Sequence, residues 1–168
     1  MLGRSRTIVT GALLALAVLA PAAQAADDPT DKWARWLGTP REATVRSLDF
    51  LGTLYAGTED DGVYSSPLAA GPWSQINTGL EAPGADSVRQ VKAAPSGLLY
   101  AATSAGLFSA QPGGGAWAPV GQGVGPRKLN MGGIQSIMFN DPSGTDMTVA
   151  VSGAAGPGVY NSSDGGAN

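Results

Sequence analysis

The residues with the clearest potential for chemistry are the carboxylates of one acidic run, Glu59-Asp60-Asp61. Two carboxyl groups that flank a glycosidic bond about 5–9.5 Å apart can hydrolyse it, one as acid and the other as base or nucleophile. Asp60 and Asp61 are therefore candidate catalytic residues. Neighbours in one loop rarely oppose each other across a substrate, so a solvated turn is the alternative interpretation.

The composition narrows the chemistry that any site could perform. The sequence contains neither histidine nor cysteine. A Ser-His-Asp triad, a cysteine nucleophile and the usual zinc ligands are therefore excluded, and acid–base work falls to carboxylates, tyrosine or lysine. The acidic run also lacks the D-x-[DN]-x-[DN]-G spacing of a calcium loop. We expect no metal and no cofactor.

The net charge of the chain limits the kinds of partner that it can bind. Ten basic and thirteen acidic residues give a net charge of −3, and the basic residues form no stripe. Nucleic-acid binding requires a basic surface, so we expect no nucleic-acid partner.

The N-terminus has the three parts of a secretory signal peptide. Arg4 and Arg6 supply the positive region, Ile8 to Ala20 is an apolar run, and Ala23-Gln24-Ala25 matches an A-x-A cleavage site. The apolar run is too short to span the roughly 30 Å hydrocarbon core of a bilayer. The pattern predicts a signal peptide at 1–25 and an exported mature protein, periplasmic or extracellular, with no membrane insertion after cleavage.

The sequence then repeats itself, with repeats that begin at Val45, Val88 and Ile134 and a period of about 45 residues. Each repeat has short runs rich in β-branched and aromatic residues between glycine, proline or asparagine, which predicts four strands, A to D. This pattern predicts an all-β fold, a β-propeller of four-stranded antiparallel blades, with a solenoid as the alternative. The predicted blades span 45–77, 88–121 and, incompletely, 134–168.

A tryptophan segment precedes the first repeat. Residues 32–38 contain Trp33, which aligns with Trp73 and Trp117 at the start of strand D, and they predict a lone strand D. In propellers such a strand often completes the last blade. Three blades are fewer than the ~4–8 that close a ring, so we expect an incomplete propeller over 26–168 and further blades beyond this sequence.

The last residues carry a recognisable motif, since Ser162-Ser163-Asp164-Gly165-Gly166-Ala167-Asn168 matches S-x-D-x-G-x-x-W up to the tryptophan. The first two repeats keep the serine and the tryptophan but lose the aspartate. The sequence thus resembles a C-terminally truncated member of the Asp-box (BNR) β-propellers, which include sialidases, sortilin-type receptors, xyloglucanases and photosystem II assembly factors. The resemblance implies that Ser162, Asp164 and Gly166 form a structural turn away from catalysis.

Function is expected on the opposite face. The B–C loops and D–A connections of a four-stranded blade emerge together, and this face commonly carries function in propellers. The acidic run is a B–C loop, and residues 77–87 form a D–A connection.

Two functions are compatible with these features. The first is a non-catalytic exported propeller that binds a protein or glycan partner or assists assembly. The alternative is the N-terminal part of a secreted glycoside hydrolase, sialidase-like or xyloglucanase-like. The early Arg-Ile-Pro motif of sialidases is absent, so an enzyme assignment rests on analogy of fold alone.

Overall fold

The structure is a computed structural model, and it describes residues 43–67, 72–113, 115–121, 132–153 and 156–167. The predicted signal peptide at 1–25 and the predicted lone strand D at 32–38 lie outside these residues. All described residues belong to one unit of the chain, Trp36–Asn168.

The described residues form three antiparallel sheets. The first sheet contains β1 (Val45–Phe50), β2 (Thr53–Thr58), β3 (Val63–Pro67) and β4 (Ser74–Gln75). The second contains β5 (Val88–Ala93), β6 (Leu99–Thr103), β7 (Gly106–Ala110) and β8 (Ala118–Val120). The third contains β9 (Gly133–Phe139), β10 (Met147–Ser152) and β11 (Gly158–Ser162). Within each sheet the strands pair in sequence order, as in a meander.

The predicted fold class is confirmed. Across the described ranges the chain is all-β, with no helical segment, and its sheets have the strand count and antiparallel pairing of propeller blades, not closed into a ring. In the same ranges there is no helix long and apolar enough to cross a membrane.

The hydrophobic core consists of two layers, one on each side of the second sheet. One layer joins the first and second sheets through residues such as Tyr55, Val91 and Leu99. The other layer joins the second and third sheets through residues such as Tyr100 and Ile137. Full burial of each large apolar side chain contributes about 1.5–3 kcal/mol, so packing between sheets stabilises the arrangement.

Strand β6 shows the effect of being covered on both faces. All five of its residues are buried. Leu99 and Ala101 belong to the layer shared with the first sheet, while Tyr100 and Ala102 belong to the layer shared with the third. The strand therefore lacks the alternation of apolar and polar residues that marks a sheet with one solvated face.

Polar side chains align the first strands of the three sheets. Ser47 Oγ accepts a hydrogen bond from the Val91 amide at 2.8 Å, and Asp49 Oδ2 accepts one from the Ala93 amide at 2.8 Å. Gln90 Oε1 in turn accepts from the Ile137 amide at 2.6 Å. These bonds hold β1, β5 and β9 side by side, so the loops at the ends of the three sheets are displayed on common faces.

Candidate functional site

Two buried threonines shape the turns that follow the second strand of a sheet. Thr58 Oγ1 donates to the Gly62 carbonyl at 2.8 Å and accepts from the Asp61 amide at 3.1 Å. Thr103 Oγ1 makes the equivalent bonds in the second sheet, to the Gly106 carbonyl at 2.9 Å and from the Ala105 amide at 3.1 Å. The acidic run is therefore carried on a turn with a defined backbone.

Asp61, one of the two predicted candidates, has its carboxylate occupied by neighbours. It accepts hydrogen bonds from the Tyr64 hydroxyl and, at 2.9 Å, from Gln75 Nε2. Its backbone carbonyl accepts from Asn77 Nδ2 at 2.9 Å. Asp61 thus ties the β2–β3 turn to β3 and β4, which makes it a positioning residue in this arrangement.

Asp60, the other candidate, is exposed. Its carboxylate makes no hydrogen bond or ion pair with any residue that the structure describes. The two adjacent aspartates therefore differ in their surroundings, because the carboxylate of Asp61 is bonded by the protein and that of Asp60 faces solvent.

Asp60 and Asp61 line a polar cleft of about 500 Å³. Its other lining residues come from β4 and the β4–β5 connection: Gln75, Asn77, Thr78, Leu80, Glu81 and Asp86. The Gly62 amide donates to the Asp86 carbonyl at 2.9 Å and joins the two walls. The B–C turn and the D–A connection of the sequence analysis thus meet in one cleft.

Asp86 is the residue of the cleft that sequence reasoning missed. It is exposed, lies on the β4–β5 connection and lines the same cleft as Asp60. Its side chain has no hydrogen bond or ion pair within the described ranges. The signal available in the sequence was the position of residues 77–87 on the face that is predicted to carry function, but nothing in that stretch distinguished Asp86.

The cleft is anionic. Glu81 accepts the Gly79 amide with both carboxylate oxygens, at 2.8 and 3.0 Å, and this hydrogen bonding lowers the pKa of Glu81. The available acceptors are therefore mainly carboxylates, which suit ligands rich in hydroxyl donors. Among the described residues no three acidic side chains converge as a metal site would require.

The motif residues at the end of the sequence form a separate turn. Ser162 Oγ donates to Asp164 Oδ1 at 2.6 Å and accepts from the Gly166 amide at 2.8 Å. Asp164 Oδ1 also accepts from the Ala167 amide at 3.1 Å, and Gly166 has a φ of 82°. The turn follows β11, the third strand of its sheet, and therefore lies at the end of the sheet opposite to the B–C turns.

Comparisons with known proteins support the fold. No protein-family model matches the chain, and no curated protein matches it. Among solved structures, an ancestral GH74 enzyme is similar with a TM-score of 0.58 and 22% identity, over 74% of this chain and 17% of that enzyme. The chain thus spans about a sixth of the length of that enzyme, and the likeness places its sheets in a β-propeller arrangement.

Proposed function

We propose that this protein is an exported Asp-box propeller that binds a glycan in the cleft between the β2–β3 turn and the β4–β5 connection. The observation that carries this proposal is the cleft itself, where the carboxylates of Asp60 and Asp86, which have no partner among the described residues, lie with the side-chain carbonyl oxygen of Gln75. Sugar hydroxyls donate hydrogen bonds to such acceptors. A volume of about 500 Å³ accommodates a short oligosaccharide.

The similarity to a GH74 enzyme favours a glycan over a protein ligand. GH74 is a glycoside hydrolase family of β-propellers, so this support is an analogy of fold. The turn of Ser162, Asp164 and Gly166 supports the Asp-box assignment, and the N-terminal pattern supports export.

Binding of a neutral glycan by the full chain tests the proposal. We expect soluble β-glucan oligosaccharides to bind in a calorimetric titration, and Asp60→Asn or Asp86→Asn to weaken binding about tenfold or more. The reason is that a hydrogen bond to a charged group contributes about 1.5–3 kcal/mol. Glu59→Gln is the matched control, because Glu59 neighbours Asp60 but pairs with Arg46 outside the cleft.

Equal affinity of the native protein and the Asp60 and Asp86 variants would remove the cleft from the binding site. Absence of binding to every glycan tested would overturn the proposed function itself.

Hydrolysis of the bound glycan is a second candidate function. It is favoured by the origin of Asp60 and Asp86 on two different walls of the cleft, because a glycosidase needs carboxyl groups on both sides of the scissile bond. One would protonate the glycosidic oxygen while the other attacks the anomeric carbon or activates a water molecule. Release of reducing ends by the native protein, reduced at least about 100-fold by either substitution to asparagine, is the expected result. A native protein that binds glycan without releasing reducing ends would leave binding as the function.

A further inference from the structure

The outer face of the first sheet is exposed, although the equivalent face of each other sheet is covered. Val45, Leu48 and Phe50 of β1 are exposed, and together they form the front face. The counterparts of Val45 and Leu48 in the register of β5 are Val88 and Val91, which are buried in the layer shared with the first sheet. The counterparts in β9 are buried in the layer shared with the second sheet. The front face therefore has the residues of a surface that a preceding sheet covers.

The outer face of the third sheet shows the complementary relation. Val159 near the start of β11 is 75% exposed, whereas its counterparts in the register of the other sheets, Val63 and Leu107, are buried. Val63 lies in the layer shared with the second sheet, and Leu107 lies in the layer shared with the third. Met138 of β9 is also exposed on this side, because Ile137 beside it points towards the second sheet. Val159 and Met138 form the back face, which has the position of a surface that a following sheet covers.

The back face and the front face are the two halves of a junction that the molecule already makes twice. The junctions between the first and second sheets and between the second and third sheets each join a face of the back kind to a face of the front kind. Arrays of repeats usually end in polar capping units, because an uncovered repeat exposes apolar side chains to water. Neither end of the three described sheets has a polar cap of this kind.

The closest approach within this junction can be located from the first and second sheets. A Cβ atom on Gly57 would lie 2.8 Å from Val88 Cγ1. In the register of the strands, Ala102 takes the place of Gly57 in the second sheet and Ala150 takes it in the third. Ala102 is buried against the third sheet, so the junction accommodates an alanine here. A back face that meets a front face therefore places Ala150 beside Val45, the counterpart of Val88.

We propose that two copies of this chain join through unlike faces, with the back face of each copy on the front face of the other. A partner for both faces must carry sheets of this same repeat, and a second copy supplies a back face and a front face at once. Two copies of the three described sheets give six, within the ~4–8 blades that close a ring. A two-fold axis makes the two junctions identical. The association goes beyond the proposed glycan binding and does not depend on it.

Sedimentation velocity of the full chain tests whether unlike faces meet. We expect the native chain to sediment as a dimer, and Val159→Lys to raise the dissociation constant about 100-fold or more, because the closed pair buries this side chain twice. Ser163→Lys is the matched control, since it adds the same charge at an exposed polar position after β11 and should leave the dimer intact. A native monomer, or a dimer that Val159→Lys does not weaken, would overturn the proposal.

Disulfide trapping identifies the faces that meet, and the chain has no cysteine of its own. A disulfide requires Cβ atoms about 3.5–4.5 Å apart, and the approach of Gly57 to Val88 predicts such a spacing between Ala150 of one copy and Val45 of the other. We expect a mild oxidant to convert the double variant Val45→Cys with Ala150→Cys into a covalent dimer. Ser96→Cys with Gln111→Cys, at exposed positions in the turns of the second sheet, should give about tenfold less.

The single cysteine variants distinguish the possible arrangements. Neither Val45→Cys nor Ala150→Cys should form a covalent dimer alone, whereas an equal mixture of the two should form one. If Val45→Cys cross-links with itself, like faces meet, and if the double variant gives a ladder of larger species, the copies form an open chain. Either result would overturn the closed pair. These variants add no charge to the junction, so they also test the proposal if Val159→Lys fails to fold.

Discussion

At the scale of single residues, the β2–β3 turn shows that the neighbours of an aspartate, and not its residue type, determine whether its carboxylate is available to a ligand. Asp60 and Asp61 are adjacent carboxylates, and the sequence offers no reason to separate them. Asp61 is held by Tyr64 and Gln75, whereas Asp60 is exposed and has no side-chain partner in the described ranges. A ligand can therefore recruit Asp60 without breaking a bond of the fold.

Tyr64 reports on this turn through its own ionisation. Burial, the hydrogen bond to Asp61 and the charge of Asp61 together raise the pKa of Tyr64 from 10.0 to about 12. The folded state therefore retains the proton that the unfolded state loses above pH 10.0. The stabilisation is complete below pH 10.0 and is lost as the pH rises towards about 12.

We expect Tyr64→Phe to remove this part of the alkaline decline in the free energy of unfolding, measured by urea titration at several pH values. A spectrophotometric titration should lose one late-ionising tyrosine in the variant. Tyr100 is an internal control, because burial alone raises its pKa and Tyr64→Phe leaves its surroundings intact. If the native protein and the variant lose stability in parallel above pH 10.0, the raised pKa of Tyr64 makes no contribution to the stability of the fold.

At the scale of strands, side-chain acceptors on one sheet bond to the backbone of the next. Ser47→Ala would leave the amide of Val91 without its acceptor between the first and second sheets. An unsatisfied buried amide costs about 1–3 kcal/mol, and we expect that loss in the free energy of unfolding from urea denaturation. Ser136 occupies the same place in β9 but is exposed and makes no such bond within the described ranges, so Ser136→Ala should change stability by about 0.5 kcal/mol or less. Equal losses in the two variants would contradict this role for Ser47.

The strands themselves could be predicted because the repeat displays them several times. Val45, Val88 and Ile134 each mark the first strand of a sheet, and glycine or proline separates the strands that follow. The side-chain contacts between neighbouring strands could not be predicted, since they depend on the register in which the strands pair. Whether Arg46 meets Glu59 depends on a bulge of one residue in β1, and such a bulge has no sequence signal of its own.

The position of the cleft could be predicted from the sequence, but the residues that line it could not. The face that carries the β2–β3 turn and the β4–β5 connection follows from strand order alone. The presence of Asp60 and Asp86 in one cleft depends on the path of residues 77–87, which is set by backbone bonds such as that from Gly62 to Asp86. Individual bonds of this kind between loops leave no periodic trace in a sequence.

At the scale of the whole molecule, the outer face of the first sheet should govern association. Leu48 and Phe50 on β1 are 63% and 50% exposed, whereas Val91, at the position of Leu48 in β5, is 1% exposed because a neighbouring sheet covers it. Exposed apolar area of this kind favours self-association. We expect the chain to associate with rising concentration in sedimentation velocity experiments, and the double variant Leu48→Lys with Phe50→Lys to shift it towards the monomer. Ser96→Lys with Gln111→Lys adds the same charge at exposed polar positions and should leave association unchanged. If both double variants reduce association equally, net charge rather than the apolar face of β1 controls it.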